Sequence, residues 1–185
     1  MKCSDIIAQD HAALRRGLNI LDRMVQRMEE GNLIEIFDIR TMLKFLRIFG
    51  DEYHQSMEEH VLFPVLLRAA PEEVERHEMF LLEHAEEREL LSAIDAALNP
   101  KHGIGFVQSS RRLILLLRNH LEKEERALED ISERLLPKDE DEVIAALFAS
   151  NRPMPDIFAS FSRLERKYAA KPRAIPAELD RRAHA

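Results

Sequence analysis

The sequence predicts an all-α protein, an up-down-up-down four-helix bundle with a short C-terminal helical extension. Its composition favours helices, because only five of the 185 residues are glycine and none is tryptophan. Four long stretches place apolar residues at alternating three- and four-residue intervals, and glycine or proline breakers separate these stretches. That pattern is typical of amphipathic helices that bury one face in a shared core.

The chain changes character at Pro137, and we expect three parts. Residues 1–136 should form the bundle. Residues 137–170 should form a helical extension that packs on the bundle or on a partner. Residues 171–185 contain two prolines and mixed charge, which indicates a mobile tail.

The first helix should run from Ser4, a good N-cap residue, to Glu30, where Gly31 and Asn32 provide a stop. Its apolar residues follow a three-and-four spacing with one gap, and His11 fills that gap. A histidine in this position points into the core. The apolar positions are Ile7, Leu14, Leu18, Leu21, Val25 and Met28.

The second helix should begin near Leu33, and Pro64 should end or kink it after Phe63. Its inner stripe contains His54 and Glu58, four residues apart and therefore one turn apart on one face. The other members of the stripe are Ile36, Ile39, Leu43, Leu46, Gly50, Met57, Val61 and Val65.

Two further helices complete the predicted bundle. The third should run from about Pro71 to Leu98 and the fourth from about Ile104 to Leu136, with a breaker cluster at 99–103 between them. The third helix presents inward Val74, His77, Leu81, His84, Arg88, Leu91, Ile94 and Leu98. The fourth helix presents inward Leu113, Leu117, His120, Glu124, Leu128, Ile131 and Leu135.

Two shorter helices should follow, at about 139–150 and 156–169, with a proline-containing linker between them. The second of these carries Phe158, Phe161 and Tyr168. We expect it to pack back on the bundle, or to contact a second copy of the chain or another protein.

Composition and charge exclude several classes of function. The net charge of −7 argues against nucleic acid or an anionic membrane surface as the main partner. No stretch approaches the roughly 18 uninterrupted apolar residues of a transmembrane helix, and the N-terminus lacks the apolar core of a signal peptide. One cysteine, Cys3, excludes an internal disulfide and suggests a reducing compartment. We therefore expect a cytoplasmic protein.

The most informative pattern is a repeat. A lone inward histidine on one helix is followed by His-x-x-x-Glu on the next, and this order occurs twice. The residues are His11, His54, Glu58, His84, His120 and Glu124. In an up-down bundle, residues equally far from a turn lie at the same level. The distances of these residues from the three turns differ by two or three residues, or ~3–5 Å at ~1.5 Å per residue. All four helices should therefore deliver their side chains to one layer.

The chemistry follows from the residue types in that layer. Two buried carboxylates among four imidazoles would be very costly to charge in an apolar core without cations. Two divalent metal ions ~3.5–4 Å apart resolve this, with Glu58 and Glu124 bridging the ions and the histidines as terminal ligands. Imidazole suits iron, zinc, copper or nickel better than magnesium or calcium. Coordination positions would remain for a bridging oxygen atom and a small ligand.

Simpler interpretations account for other residues. A single His-x-x-x-Glu is weak evidence, because roughly one such pair is expected by chance and most are solvated helix-face pairs. His77 is also inward, but it lies ~10 Å along the helix axis from His84, too far for the same layer. Arg88 is inward and one turn from His84. A structural ion pair explains it better than a role in gating access to the metal ions. A ferritin-like site would need Glu-x-x-His on two helices, and a metal-free bundle does not explain six polar groups in one buried layer.

The chain resembles the hemerythrin-like family, also called the HHE cation-binding domain, over about residues 5–136. The matching motifs are Asp10-His11, the segment 54–64 with its Leu-Phe-Pro ending, Glu83-His84 with the residues to Arg88, and the segment 120–125. The resemblance implies two iron ions in an oxo- or hydroxo-bridged di-iron centre. The ligands that it implies are His11, His54, His84 and His120 as terminal ligands, with Glu58 and Glu124 as bridges.

The chain departs from this family at two places. Oxygen-carrying members have a further histidine one turn from the third-helix ligand, where this chain has Phe80 and Arg88. Family members often have Leu-Phe-Pro after the second His-x-x-x-Glu pair. This chain has Arg126-Ala-Leu-Glu129 there instead. Fewer histidines leave the irons more open and easier to oxidise irreversibly, which argues against long-lived oxygen storage.

The resemblance implies a protein that binds oxygen, nitric oxide or peroxide in a stress response or in sensing. The alternative is an enzyme at the same di-iron site that decomposes peroxide or repairs iron centres, although the chain has no cysteine pair for cluster transfer. If the protein signals, the segment with Phe158, Phe161 and Tyr168 would be the contact surface.

Overall fold

A computed structural model describes residues 2–98, 103–153 and 155–169 of the chain. Within these ranges the regular structure is entirely helical, which confirms the all-α prediction. No helix in these ranges combines the length and the apolar run needed to cross a bilayer. The tail predicted at 171–185 lies outside the described residues.

The helices follow one another along the chain with short connections. The α-helices of the described ranges are α1 (Cys3–Glu29), α2 (Ile36–Phe45), α3 (Phe63–Ala69), α4 (Val74–Ala96), α5 (Gly103–Leu135), α6 (Lys138–Asn151) and α7 (Pro155–Ala169). Two π-helical segments, Leu46–Gln55 and Glu58–Leu62, continue the helical path from α2 to α3. A 3₁₀ turn, Pro71–Glu73, precedes α4.

The first helix agrees with its predicted ends to within one residue. It stops before Gly31, whose φ of 82° lies in the left-handed region that glycine adopts without a steric penalty. The predicted N-cap at Ser4 is wrong, because Ser4 lies inside the helix and Lys2 occupies the cap position. The backbone N–H of Lys2 donates to the carboxylate of Asp5 at 2.9 Å.

The predicted second helix differs more from the structure. It begins at Ile36 rather than at Leu33, which is 99% exposed and so gains no burial from a helix. The second π-helical segment ends at Leu62 and α3 begins at Phe63, within one residue of the place where Pro64 was expected to end or kink the helix. Pro64 stands in the first turn of α3, where its missing N–H leaves no hydrogen bond unmade. The π-helical form of the middle of this stretch was not predicted. Such wide turns are frequent at functional sites.

The inner faces were predicted correctly for most positions. Three residues expected inside are exposed by more than two fifths of their surface: Ile36, Val74 and Leu81. On α4, the neighbouring Phe80 takes the core position instead of Leu81, because the inner face of this helix is centred one residue earlier. The side chains of Leu128, Ile131 and Leu135 lie outside the described part of the chain.

The long helices share one core. Helix α5 packs along both α1 and α4, and the first π-helical segment contacts α1 and α4. A continuous cluster of buried apolar side chains joins them. Four stretches of helix therefore surround the level at which the predicted ligands stand.

The C-terminal helices pack on the same core. Helix α7 contacts α1 and α2, and α6 contacts α1. The ring of Phe161 stacks on Phe45 with 4.0 Å between centroids, and the hydroxyl of Tyr168 donates to Asp38 at 2.8 Å. Phe161 and Tyr168 are buried and Phe158 is half-buried. The chain itself therefore covers Phe161 and Tyr168, and contact of this segment with a partner stays a prediction.

Candidate metal centre

All six predicted ligands lie inside the core. Their side chains come from α1, the two π-helical segments, α4 and α5, so four stretches of helix contribute. None of the six is more than 2% exposed. They are His11, His54, Glu58, His84, His120 and Glu124.

The histidines form two pairs, and Glu58 lies between the pairs. The Nε2 atoms of His84 and His120 are 3.2 Å apart. The rings of His11 and His54 meet edge to face with 4.9 Å between centroids. Glu58 Oε1 is 3.0 Å from His54 Nε2, and Glu58 Oε2 is 3.7 Å from His84 Nε2. The two oxygens of one carboxylate therefore face different histidine pairs.

Glu124 links the two pairs a second time. Its Oε2 atom lies 3.3 Å from Nε2 of His11 and 3.3 Å from Nε2 of His120. One ligand atom from each of His11, His54, Glu58 and Glu124 can be chosen so that all four lie within 4.8 Å of one another. His84 and His120 join this group through their contacts with the two glutamates.

Nε2 of His84 and Nε2 of His120 lie within hydrogen-bond distance of each other, whereas seven other buried nitrogen and oxygen atoms of the cluster have no hydrogen-bond partner among the described residues. Their close approaches to one another lack hydrogen-bond geometry. The atoms are Nε2 of His11, both ring nitrogens of His54, and both oxygens of Glu58 and of Glu124. Buried polar atoms without partners destabilise a fold. A metal ion ~2.0–2.2 Å from each donor holds neighbouring donors ~3 Å apart, which is the spacing of the shortest contacts here. The cluster therefore fits metal ions.

Each ligand histidine is faced on its Nδ1 side by a carboxylate from a different helical stretch. Three of these contacts are hydrogen bonds and one is a longer ion contact. The Nδ1-to-oxygen distances are 3.2 Å for His11 and Glu125, 3.8 Å for His54 and Asp10, 2.8 Å for His84 and Glu59, and 3.0 Å for His120 and Glu83. Each carboxylate stands next in the sequence to a ligand on its own helix. The four contacts therefore run once around the cluster, and we call these four residues the outer carboxylates.

A cationic side chain holds each outer carboxylate in turn. The pairs are Arg15 with Glu125, Arg88 with Glu59, Lys123 with Glu83, and Arg152 with Asp10. Arg15 contacts both oxygens of its partner, at 2.5 and 2.6 Å. Such support fixes the orientation of a ligand histidine and raises its basicity.

The outer carboxylates also fix which ring nitrogen carries the lone pair. A neutral ring that donates from Nδ1 presents a lone pair at Nε2. If these rings are neutral, as metal ligands must be, the Nε2 lone pairs of His84 and His120 face each other and that of His11 faces Glu124. Without a metal ion, protons on His11 and His120, whose pKa values are raised, relieve this repulsion, and metal ions would take the place of those protons.

The close packing of carboxylates and imidazoles shifts the pKa values of the cluster in the absence of metal. Burial alone would lower the pKa of His54 and His120, but the neighbouring carboxylates outweigh burial and raise these pKa values to about 9 and about 10. Burial would raise the pKa of Glu124, yet the imidazole rings of His11 and His120, each 3.3 Å from its Oε2 atom, hold that pKa well below its ordinary value. The cluster thus attracts cations, and metal ions must displace protons from it.

Comparison with known families agrees with this geometry. The family model of the hemerythrin HHE cation-binding domain matches residues 4–131, more than half of the chain. The chain belongs to the hemerythrin HHE cation-binding domain family. Domains of this family bind metal cations, and the His/Glu cluster described above can hold a metal ion. Searches of curated proteins and of solved structures gave no significant match.

Two other residues singled out in this HHE domain lie apart from the donor atoms. His77 is buried, but its Nδ1 donates to the backbone carbonyl of Glu73 at 2.9 Å, as expected for a structural histidine. Arg88 pairs with Glu59 at 2.7 Å and reaches the centre only through that carboxylate. Its predicted structural pairing is therefore confirmed, and the pairing supports a histidine of the cluster.

The sequence analysis missed the outer carboxylates and a further buried acid, Glu87. The signal for the outer carboxylates was an acidic neighbour beside a ligand on each helix, as in Asp10-His11 and Glu83-His84. The signal for Glu87 was its place three residues after His84, on the same face of α4. Glu87 is 1% exposed and accepts a hydrogen bond from the amide nitrogen of Gln55.

Proposed function

We propose that the cluster is a non-haem di-iron centre, with two iron ions joined by an oxo or hydroxo bridge in an up-down-up-down bundle of residues 1–136. The terminal ligands would be His11, His54, His84 and His120, and the bridging ligands Glu58 and Glu124. The observation that carries this proposal is the convergence of buried ring nitrogens from two histidine pairs on two shared glutamates. Family membership favours iron among the metals that imidazole accepts.

Two ions suit the cluster better than one. Glu58 directs one oxygen toward His54 and the other toward His84, and a carboxylate used in this way spans two ions ~3.5–4 Å apart. A single ion beside His11 and His54 would leave the Nε2 atoms of His84 and His120 without a metal ion. Ions in both places would give each histidine pair a metal ion, with the two glutamates shared between the ions.

The proposed function is the binding of a small ligand, oxygen, nitric oxide or peroxide, in a cytoplasmic stress response or in sensing. Four histidines and two glutamates leave coordination positions open on two six-coordinate ions. Phe80 supports the presence of open coordination positions. It stands at one of the flanking positions where oxygen-carrying relatives have a further histidine. Its ring is buried, 5.5 Å from that of His120. One ligand fewer favours access of a reactive molecule over stable oxygen storage.

Peroxide decomposition is a second candidate function, favoured by the position of Glu87, a buried acid one turn after His84 on α4. Burial raises the pKa of Glu87 to about 7, although Gln55 and the charges of His120 and His84 oppose this. A carboxyl group with that pKa can hold or release a proton near neutral pH. Turnover of peroxide would need such a group beside the irons.

Ligand binding by the iron-loaded protein tests both functions. Reduced protein is exposed in separate experiments to oxygen, nitric oxide and hydrogen peroxide, and its absorption spectrum is followed. Reversible binding in proportion to protein supports sensing. Peroxide turnover that survives repurification and disappears in Glu58→Ala, but not in the exposed control Glu52→Ala, supports the enzyme. An iron-loaded protein that responds to none of the three ligands contradicts both.

A further inference from the structure

One buried acid at the centre has no role in holding a histidine. Glu87 belongs to the layer next to the ligands, since it follows His84 by one turn of α4 and faces Gly50, which precedes His54 by one turn. Leu14, one turn after His11, bounds the same place. Glu87 is thus the acidic side chain at an otherwise apolar place beside the metal cluster.

The surroundings of Glu87 differ from those of the outer carboxylates. Each outer carboxylate faces an Nδ1 atom and is held by a cation, whereas Glu87 has no ion pair among the described residues. Its Oε2 atom accepts from the Gln55 amide, and its Oε1 atom has no hydrogen-bond partner in the described part of the chain. Oε1 of Gln55 is also buried without a partner there. Each member of this hydrogen-bonded pair therefore keeps one buried acceptor without a donor, an arrangement that a purely structural pair would avoid.

The backbone leaves space at these acceptors. A Cβ atom built on Gly50 would lie 3.6 Å from Glu87 Oε1 and 3.4 Å from Leu14 Cδ2, both ordinary contact distances. Glycine at this position therefore keeps a methyl-sized volume open next to the free oxygen of Glu87. A small molecule there would meet an acceptor on one side and an apolar side chain on the other.

We propose that Glu87, oriented by Gln55, is a specificity-determining contact for the small ligand of the metal centre. It selects a protic oxygen ligand, a peroxide carrying O–H groups, over diatomic ligands that carry no proton. The chemistry follows from the two free acceptors, because an O–H donor satisfies them and nitric oxide or oxygen does not. This inference rests on the proposed metal centre and names the ligand class that the centre prefers.

The test compares a protic and an aprotic ligand on the full-length, iron-loaded protein. The variants are Glu87→Leu, Glu87→Gln and Gly50→Ala, and Glu86→Gln is the matched control, because Glu86 lies on the outer surface beside Arg112. Each protein is measured for iron content, for the rate constant with which it consumes hydrogen peroxide, and for nitric oxide affinity. Thermal stability of the metal-free form is measured alongside.

We expect Glu87→Leu to keep its iron and to lose about tenfold in the peroxide rate constant, the effect of one hydrogen bond. Nitric oxide affinity should stay within about threefold. The metal-free Glu87→Gln variant should melt within a few degrees of wild type, because glutamine keeps the volume of the side chain and an acceptor for the Gln55 amide. Gly50→Ala should also slow peroxide consumption by filling the space, and Glu86→Gln should behave as wild type.

Several results would overturn the inference. One is a peroxide rate constant that is unchanged in both Glu87→Leu and Gly50→Ala. A second is an equal fall in nitric oxide affinity, and a third is loss of iron, which would make Glu87 a metal ligand. A fourth is a marked fall in the melting temperature of metal-free Glu87→Gln. Iron-loaded wild type that is inert to peroxide also overturns it. Wild type that binds no metal would instead defeat the proposed function itself, so the two failures are distinguishable.

Discussion

Replacing Glu59 by glutamine should weaken metal binding although Glu59 touches no metal ligand atom. Its Oε1 atom accepts the Nδ1–H of His84 at 2.8 Å and contacts Arg88 at 2.7 Å. Burial would raise the pKa of Glu59, but His84 and Arg88 outweigh burial and lower it to about 2, so the group is a carboxylate at neutral pH. Glutamine keeps the shape and one acceptor but removes the charge.

The size of the effect follows from the hydrogen bond that is weakened. A charge-assisted bond contributes ~1–2 kcal/mol more than a neutral one of the same geometry, so the affinity for the ion beside His84 should fall about tenfold. Removal of such supporting groups typically weakens metal binding ~10- to 100-fold. Since Arg88 acts through Glu59, Arg88→Gln should add less than ~0.5 kcal/mol in the background of Glu59→Gln.

The assay is competition with a chelator of known affinity, which gives the dissociation constant of each protein for iron or zinc. The control is Glu122→Gln, an exposed residue on α5 whose ion pair is with Arg126 on the same helix. Glu122→Gln should bind as wild type does. An affinity within twofold of wild type for Glu59→Gln, or full additivity with Arg88→Gln, would refute the supporting role of the outer carboxylates.

Three further predictions test the electrostatics and the packing. Metal affinity should rise between pH 6 and 9, because protons on His54 and His120 compete with metal and their pKa values are raised to about 9 and about 10. A dissociation constant that does not change with pH would contradict this. Gly17→Ala should lower the free energy of unfolding by ~1–3 kcal/mol, since its Cβ would lie 2.9 Å from the Phe45 ring; urea denaturation measures this, and unchanged stability would exclude the close approach. Phe161→Ala should cost ~3–5 kcal/mol because α7 loses its buried, stacked ring, and a loss below ~1 kcal/mol in the same assay would show that α7 does not pack on the bundle.

Much of the fold could be predicted from the sequence because its apolar period is regular. The breakers at Gly31 and Pro137 lie where helices end, and His11 fills a gap in an otherwise apolar series. The prediction failed where the pattern is locally ambiguous. Phe80 and Leu81 are neighbours of similar hydropathy, and only the packing against other helices decides which one is buried.

The convergence of the six side chains could be predicted from the number of residues that separates each one from the nearest helix-connecting turn. The residues that surround them could not be predicted in this way. The spacing of the apolar residues does not reveal the wide π-helical turns around His54 and Glu58, which are visible only in the structure. The outer carboxylates resemble ordinary helix-surface acids in a chain with 34 acidic residues. Each one acts on a histidine of another helix, so its role becomes visible only when the neighbouring helices are known. Glu87 was missed because only the packing of α4 against Gly50 and Gln55 shows that this acid is buried.

The central claim is that Glu58 and its partners hold metal ions, and metal content per chain tests it most directly. The protein is expressed in iron-rich medium, purified, and analysed for iron and protein beside Glu58→Ala and the exposed control Glu52→Ala. A bridged two-ion site predicts about two irons per chain in wild type and control, with loss of most of the metal in Glu58→Ala. Substoichiometric metal that is the same in all three proteins would contradict the account.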